Sequence, residues 1–144
     1  MGEHLELIHP VENDTVYKMA YTPAIKVRSG ATGYVGGVTA APVYHHHPHN
    51  KSDFENMPLD PGEHARMAME NLRNVLQAAG GDLTDIVQLF RFICDIEKNQ
   101  DAINKAMGEY LGAHRATSTT VEVTRLATDP RLVLELTAVA VVPE

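Results

Sequence analysis

Apolar residues recur along this chain with two periods, and the changes between them predict its elements. The first forty residues carry short apolar stretches broken by glycine. They predict strands at 15–20, 24–28 and 32–38, with Ser29-Gly30 as the turn between the last two. Residues 43–62 have no period and are rich in His, Asn, Asp and Pro, which predicts a long loop. A helix then opens with Asp60 as N-cap, Pro61 as its first residue and Glu63 as the reciprocal capping side chain. Ala65, Met69, Leu72, Leu76 and Ala79 follow at helical spacing until Gly80-Gly81 ends the element. Residues 85–94 are too short for a core helix and rich in Ile, Val and Phe, so they predict a strand. Ala102, Ile103, Ala106, Met107 and Tyr110 form the stripe of a second helix over about 100–111, terminated by Gly112. Strands at 119–126 and 131–142 close the chain, joined by the turn Ala127-Thr128-Asp129-Pro130.

This order, three strands, helix, strand, helix, two strands, predicts an α+β domain spanning residues 1–144, a mixed sheet with both helices on one face. The loop at 43–62 is an insertion in it. The last strand is apolar on both sides: Leu132, Leu134 and Leu136 alternate with Val133, Val139 and Val141 on the other. One face meets the helices, and no third helix is available for the other. Burial against other copies of the chain follows, so a homo-oligomer is expected.

Charge narrows the partners. The formal charge is −7, and the 12 Lys and Arg are scattered. A polyanion surface needs a basic stripe, so nucleic acid is excluded as a partner. No apolar run approaches ~18 residues, which excludes a membrane span, and the start MGEHLELIHPVEND has no signal-peptide pattern. The lone Cys94 sits in an apolar run, so a disulfide framework is excluded and a reducing, cytoplasmic location is expected.

Several segments, in order, resemble the Rid (YjgF-like, reactive intermediate deaminase) family. Tyr21-Thr22-Pro23-Ala24-Ile25 is similar to its N-terminal tyrosine segment, and Tyr34-Val35-Gly36-Gly37 falls where the family has a Ser-Gly-Gln. Glu70 to Gly80 resembles its first-helix signature, Asp85-Ile86-Val87 the following strand, and Ile103-Asn104 the Val-Asn of its second helix. Thr120-Val121-Glu122-Val123 with Leu134-Glu135-Leu136 resembles its C-terminal hairpin. The resemblance implies a chorismate-mutase-like homotrimer with small-molecule clefts between subunits. It also implies hydrolysis of 2-imino or 2-enamino acids to 2-keto acids and ammonia, without a cofactor. Tyr21, Asn104 and Glu135 match family site positions. Gly36, Ser118, Thr119 and Thr120 fall on its substrate-binding segments. The family arginine that clamps the substrate carboxylate is replaced by Ser118, and Gly36 and Val38 replace the serine and glutamine of Ser-Gly-Gln.

The residues themselves set the chemistry these positions can carry. Imine hydrolysis requires a held substrate, one positioned water and a proton path. Glu135 can position the water, and a carboxylate in an apolar strand without a partner is expensive, so Arg131 is its alternative companion. Ser118 donates one hydrogen bond where arginine would offer a planar fork, so plain 2-imino acids are expected to be poor substrates unless Arg115 or Arg125 reaches the cleft. A non-catalytic ligand-binding trimer is the second reading, and a ribonuclease or translation inhibitor the third. His45, His46, His47 and His49 are able to ligate zinc, nickel or copper. A proline-broken loop is poor support for ligands, so no metal site is expected there and the loop is read as a cover for the cleft. Cys94 is expected to be inert.

Overall fold

The structure is a computed structural model and describes residues 3–11 and 19–144. The strand expected at 15–20 lies mostly outside the described residues, and Met19 and Ala20 are irregular. Among the described residues there are six strands and two α-helices: β1 (Leu5–Ile8), β2 (Ala24–Val27), β3 (Ala31–Val38), α1 (Pro61–Ala78), β4 (Ile86–Ile93), α2 (Ile96–Leu111), β5 (Thr117–Glu122) and β6 (Leu134–Val142). β1 was not expected; its four residues LELI are too few to show a period, and it is defined by antiparallel pairing with β2.

The main sheet is mixed and runs β3-β6-β4-β5. β6 is antiparallel to both neighbours, while β4 and β5 are parallel and joined through α2. The expected hairpin between the last two strands is therefore not formed, because β4 lies between them. Two things turn the connection away from a tight turn. Leu126 and Leu132 are buried, and the Arg131 side chain folds back on Asp129 at 2.9 Å. The turn at Ser29-Gly30 likewise joins strands of different sheets, and Gly30 makes it possible. Its φ is 115°, and a Cβ there would lie 2.7 Å from Val141 Cγ1.

The α1 start follows the local signals, with the Asp60 carboxylate accepting from the Glu63 N–H at 2.9 Å. The reciprocal bond is absent, because the Glu63 carboxylate pairs with Arg66 one turn on. Ala79, expected on the buried stripe, is the exposed C-cap. α2 begins four residues before the expected start at Gln100. Asp95 precedes it with φ 48° and makes no cap of its own. The Ile96 N–H instead donates to Glu122 Oε2 at 3.0 Å.

Both helices lie on one face of the sheet. Met69, Leu72, Leu76, Ile103 and Ala106 pack with Leu89, Ile93, Leu134 and Leu136 in one core. The eight large side chains among these, at about 1.5–3 kcal/mol each on transfer, are the main force joining the layers. The loop at 43–62 is not merely solvated. Phe54 and Met57 insert into a second, smaller core with Ala40, Ala41, Leu126 and Leu132. On the sheet's other face, alternation presents Tyr34, Phe90, Glu135, Thr137, Val139 and Val121. Tyr34 is 83% exposed and Val121 44% on the two edge strands, Phe90, Thr137 and Val139 between them are half-buried, and Phe92 at one end packs against the second core, so no helix covers this face in the single chain.

Candidate active site

A cavity of about 530 Å³ opens where α2 crosses β4 and the edge strand β5. The parallel register places Leu89 opposite Ser118 and Arg91 opposite Thr120, so these four side chains share the helix-facing side of the sheet. Asn104 and Met107, one turn apart on α2, close over them. Tyr21 forms the outer wall. Its segment is strapped on by the Thr22 N–H, which donates to the Ala116 carbonyl at 3.1 Å, and by the Thr22 hydroxyl on the Arg115 carbonyl. The structure therefore brings together four of the expected residues: Tyr21, Asn104, Ser118 and Thr120.

The other three lie elsewhere. Thr119 points to the opposite side of the sheet, because neighbouring strand residues alternate. Gly36 is exposed in the irregular stretch of β3 between Val35 and Val38, away from this cavity. Glu135 pairs with Phe92 in register, which puts it on the uncovered face with the sheet between it and Ser118. Its carboxyl lies over Gly37, where a Cβ would approach it to 3.0 Å. Arg131, its alternative companion, is held by Asp129 instead. Glu135 has no charged partner among the described residues, and burial raises its carboxyl above the ordinary range.

The sequence reading missed Arg91. Its guanidinium donates from Nε to Thr120 Oγ1 at 2.9 Å and from Nη1 to Asn104 Oδ1 at 2.6 Å. Met107 Sδ lies 3.6 Å from the same Nη1. Nη2 has no hydrogen-bond partner and the guanidinium no carboxylate partner among the described residues. Burial lowers its affinity for the proton, yet an arginine keeps its charge in proteins. A partly buried cation held by two neutral groups is able to take an anion. The two arginines expected as substitutes are engaged elsewhere. Arg115 borders the cavity, but donates to the backbone carbonyls of Met19, Gly112 and His114. Arg125 lies outside it and donates to the Leu126 carbonyl. A lone arginine in the run IVQLFRFIC carries no sequence signal beyond its charge at a position where apolar residues dominate.

A second cavity, about 580 Å³, lies between the 43–62 loop and α1, but its charged groups are matched: Arg66 by Glu63 and Glu109, and Glu70 by Arg73 and Tyr110. Cys94 packs against the second core, and burial pushes its thiol up, away from the reactive thiolate.

Comparison with known proteins identifies the family and the fold. TdcF of Escherichia coli (strain K12), named as a reactive intermediate deaminase, is 34% identical over 86 residues, covering 58% of this chain and 66% of its own length, just under two thirds. A RutC family protein of Sulfurisphaera tokodaii is 31% identical over 109 residues, covering 76% of this chain and 78% of its own. In fold, the Rid family protein YyfB from Yersinia pestis superposes with a TM-score of 0.73 at 24% identity, over 96% of this chain and 99% of that one. PA3499 from Pseudomonas aeruginosa does so with a TM-score of 0.65 at 24% identity, over 96% and 92%. No helix among the described residues is long and apolar enough to cross a membrane. The family model for Endoribonuclease L-PSP matches residues 17–142, and with it the chain belongs to the endoribonuclease L-PSP family, the YjgF/Rid proteins.

Proposed function

We propose that this protein hydrolyses a small imine, enamine or related conjugated amino compound that carries an acidic group. The reading rests on Arg91, an unmatched guanidinium facing a cavity lined by Leu89, Met107 and Tyr21. An anionic group of the substrate takes the free Nη2, and the apolar wall holds its carbon skeleton. The expectation that plain 2-imino acids are poor substrates rested on Ser118 in place of an arginine, and on this reading Arg91 supplies the missing charge. Family membership and a relative named as a reactive intermediate deaminase support the deaminase-like role.

The chemistry asks for little else. Water adds to the carbon of the protonated C=N bond, and the resulting carbinolamine loses its C–N bond. Nitrogen leaves as ammonia with a proton returned to it, and no electrons are exchanged. Glu135 is the group to position that water, and its raised carboxyl lies nearer the working range of a general base than an ordinary carboxylate. Within one chain the sheet separates it from Arg91. The reading therefore requires a second copy, whose uncovered face and Glu135 approach the β4–β5 edge of the first. A homotrimer with clefts between subunits meets that requirement and buries Tyr34, Phe90 and Val139. A ribonuclease reading fits poorly with a net charge of −7 and a cavity bordered by two arginines, Arg91 and Arg115, in place of a basic stripe.

The test generates imines in place with an amino-acid oxidase and follows ammonia release, while calorimetry measures binding of the matching keto acid. Wild type is expected to accelerate release, and Glu135→Gln to abolish it while retaining keto-acid binding. If no imine or enamine in a broad panel is turned over faster than in buffer, the catalytic reading fails. Keto-acid binding that persists would then make the protein a ligand-binding member of its family.

A further inference from the structure

The loop at 43–62 contains a cluster that the deaminase reading does not use. His45, His47 and His49 stand at alternate positions of an irregular segment that bends at His47 and Pro48, and the fold turns all three rings toward one another. Ring centroids are 4.7 Å apart for His45 and His47, 5.0 Å for His47 and His49, and 5.3 Å for His45 and His49. Each offers one ring nitrogen, and these atoms all lie within 4.8 Å of one another. We propose that His45, His47 and His49 form a binding site for one divalent transition-metal ion, zinc or a neighbour such as nickel or copper.

The loop has the support that its sequence does not reveal. The Phe54 ring, 1% exposed, sits against His45 at 5.4 Å and His49 at 5.8 Å and anchors both to the second core. The fourth histidine is turned away and used as a tie. The His46 backbone N–H and ring Nδ1 both meet Asp53 Oδ2 at 2.8 Å. Asp53 belongs to a short turn of 3₁₀ helix, Lys51–Phe54, capped by Asn50, which accepts from the Ser52 N–H at 3.1 Å.

One ligand is already oriented. His45 Nδ1 lies 2.8 Å from the Pro42 carbonyl. A carbonyl only accepts, so Nδ1 carries the proton and Nε2 presents its lone pair. That is how ligating histidines are commonly fixed by a backbone group behind them. Three neutral imidazoles select zinc, nickel or copper over magnesium or calcium, which prefer oxygen. At metal–nitrogen distances of about 2.0–2.1 Å, tetrahedral ligand atoms stand about 3.3 Å apart. The rings must therefore close by about 1.5 Å, within reach of side-chain rotation at the exposed His47 and His49. Three protein ligands leave a fourth position for water or an anion.

Untagged full-length protein, stripped with a chelator, is titrated with Zn²⁺ by calorimetry and with Co²⁺ by visible absorption. One equivalent per chain and a tetrahedral Co²⁺ spectrum are expected. His47→Asn and His49→Asn should each weaken Zn²⁺ binding by about tenfold or more, whereas His46→Asn, outside the triad and keeping its backbone N–H tie to Asp53, should weaken it far less. Circular dichroism of each variant confirms that the fold is intact. Less than one saturable equivalent, or equal losses for His46→Asn and His47→Asn, would identify an adventitious histidine-rich surface and overturn the proposal.

Discussion

On the proposed function, Arg91 is the side chain that decides what the cavity accepts. Arg91→Met keeps an unbranched stem against Met107 but removes the charge and frees Thr120 Oγ1 and Asn104 Oδ1 for water. A hydrogen bond to a charged group contributes about 1.5–3 kcal/mol net, so losing the Nη2 contact to an anionic substrate should lower kcat/KM roughly 10- to 150-fold. A neutral imine of similar shape never used that contact and should lose far less. The measured quantity is therefore the ratio of kcat/KM for an acidic and a neutral imine, each generated in place and followed by ammonia release. The register supplies a second arm. Ser118 lies two residues before Thr120, the partner of Arg91, on the same side of the sheet. Ser118→Arg placed in the Arg91→Met background should recover part of the preference for the acidic substrate. In the wild-type background it sets two guanidinium groups side by side and should lower the melting temperature. If Arg91→Met lowers activity equally on acidic and neutral imines, the arginine supports the cavity wall and is no anion anchor, and the argument is refuted.

Other consequences are open to measurement. Burial raises the Glu135 carboxyl, so the folded chain holds that proton more tightly than the unfolded chain, and the stability it contributes is lost as pH rises through the raised value. Glu135→Gln should accordingly raise the melting temperature near about pH 7 and change it little below about pH 4, and thermal melts across that window check the direction. Phe54→Ala should cost about 3–5 kcal/mol in denaturant unfolding, because it empties the second core. A loss below about 1 kcal/mol would show that the loop is not integral to the fold. Light scattering should give three times the chain mass of 15.8 kDa, and a stable monomer would remove the basis for a site shared between copies.

What could be read from the chain alone is what short stretches settle by themselves. The α1 boundary is of this kind, since the Asp60 cap, Pro61 and the Gly80-Gly81 stop all lie within or next to the helix they define. Strand existence at 24–28, 32–38 and 85–94 is similar, because β-branched residues between turn signals need no distant partner to announce themselves. The first turn of α2 was not legible, as its capping carboxylate comes from Glu122, 26 residues from the Ile96 N–H it accepts. Nor was strand order. A hairpin and an inserted strand present the same local pattern at 119–142, and only burial of Leu126 and Leu132 with pairing of β6 between β3 and β4 separates them. The candidate site divides the same way. Tyr21, Asn104, Ser118 and Thr120 were named from sequence and meet in one cavity, whereas Thr119 and Glu135 were named and lie on the opposite face of the sheet. Arg91 went unread because a charge in an apolar strand acquires meaning from what stands beside it. Its neighbours, Thr120 across a parallel pairing and Asn104 on the crossing helix, are 29 and 13 residues away, and only the folded sheet sets all three around one space.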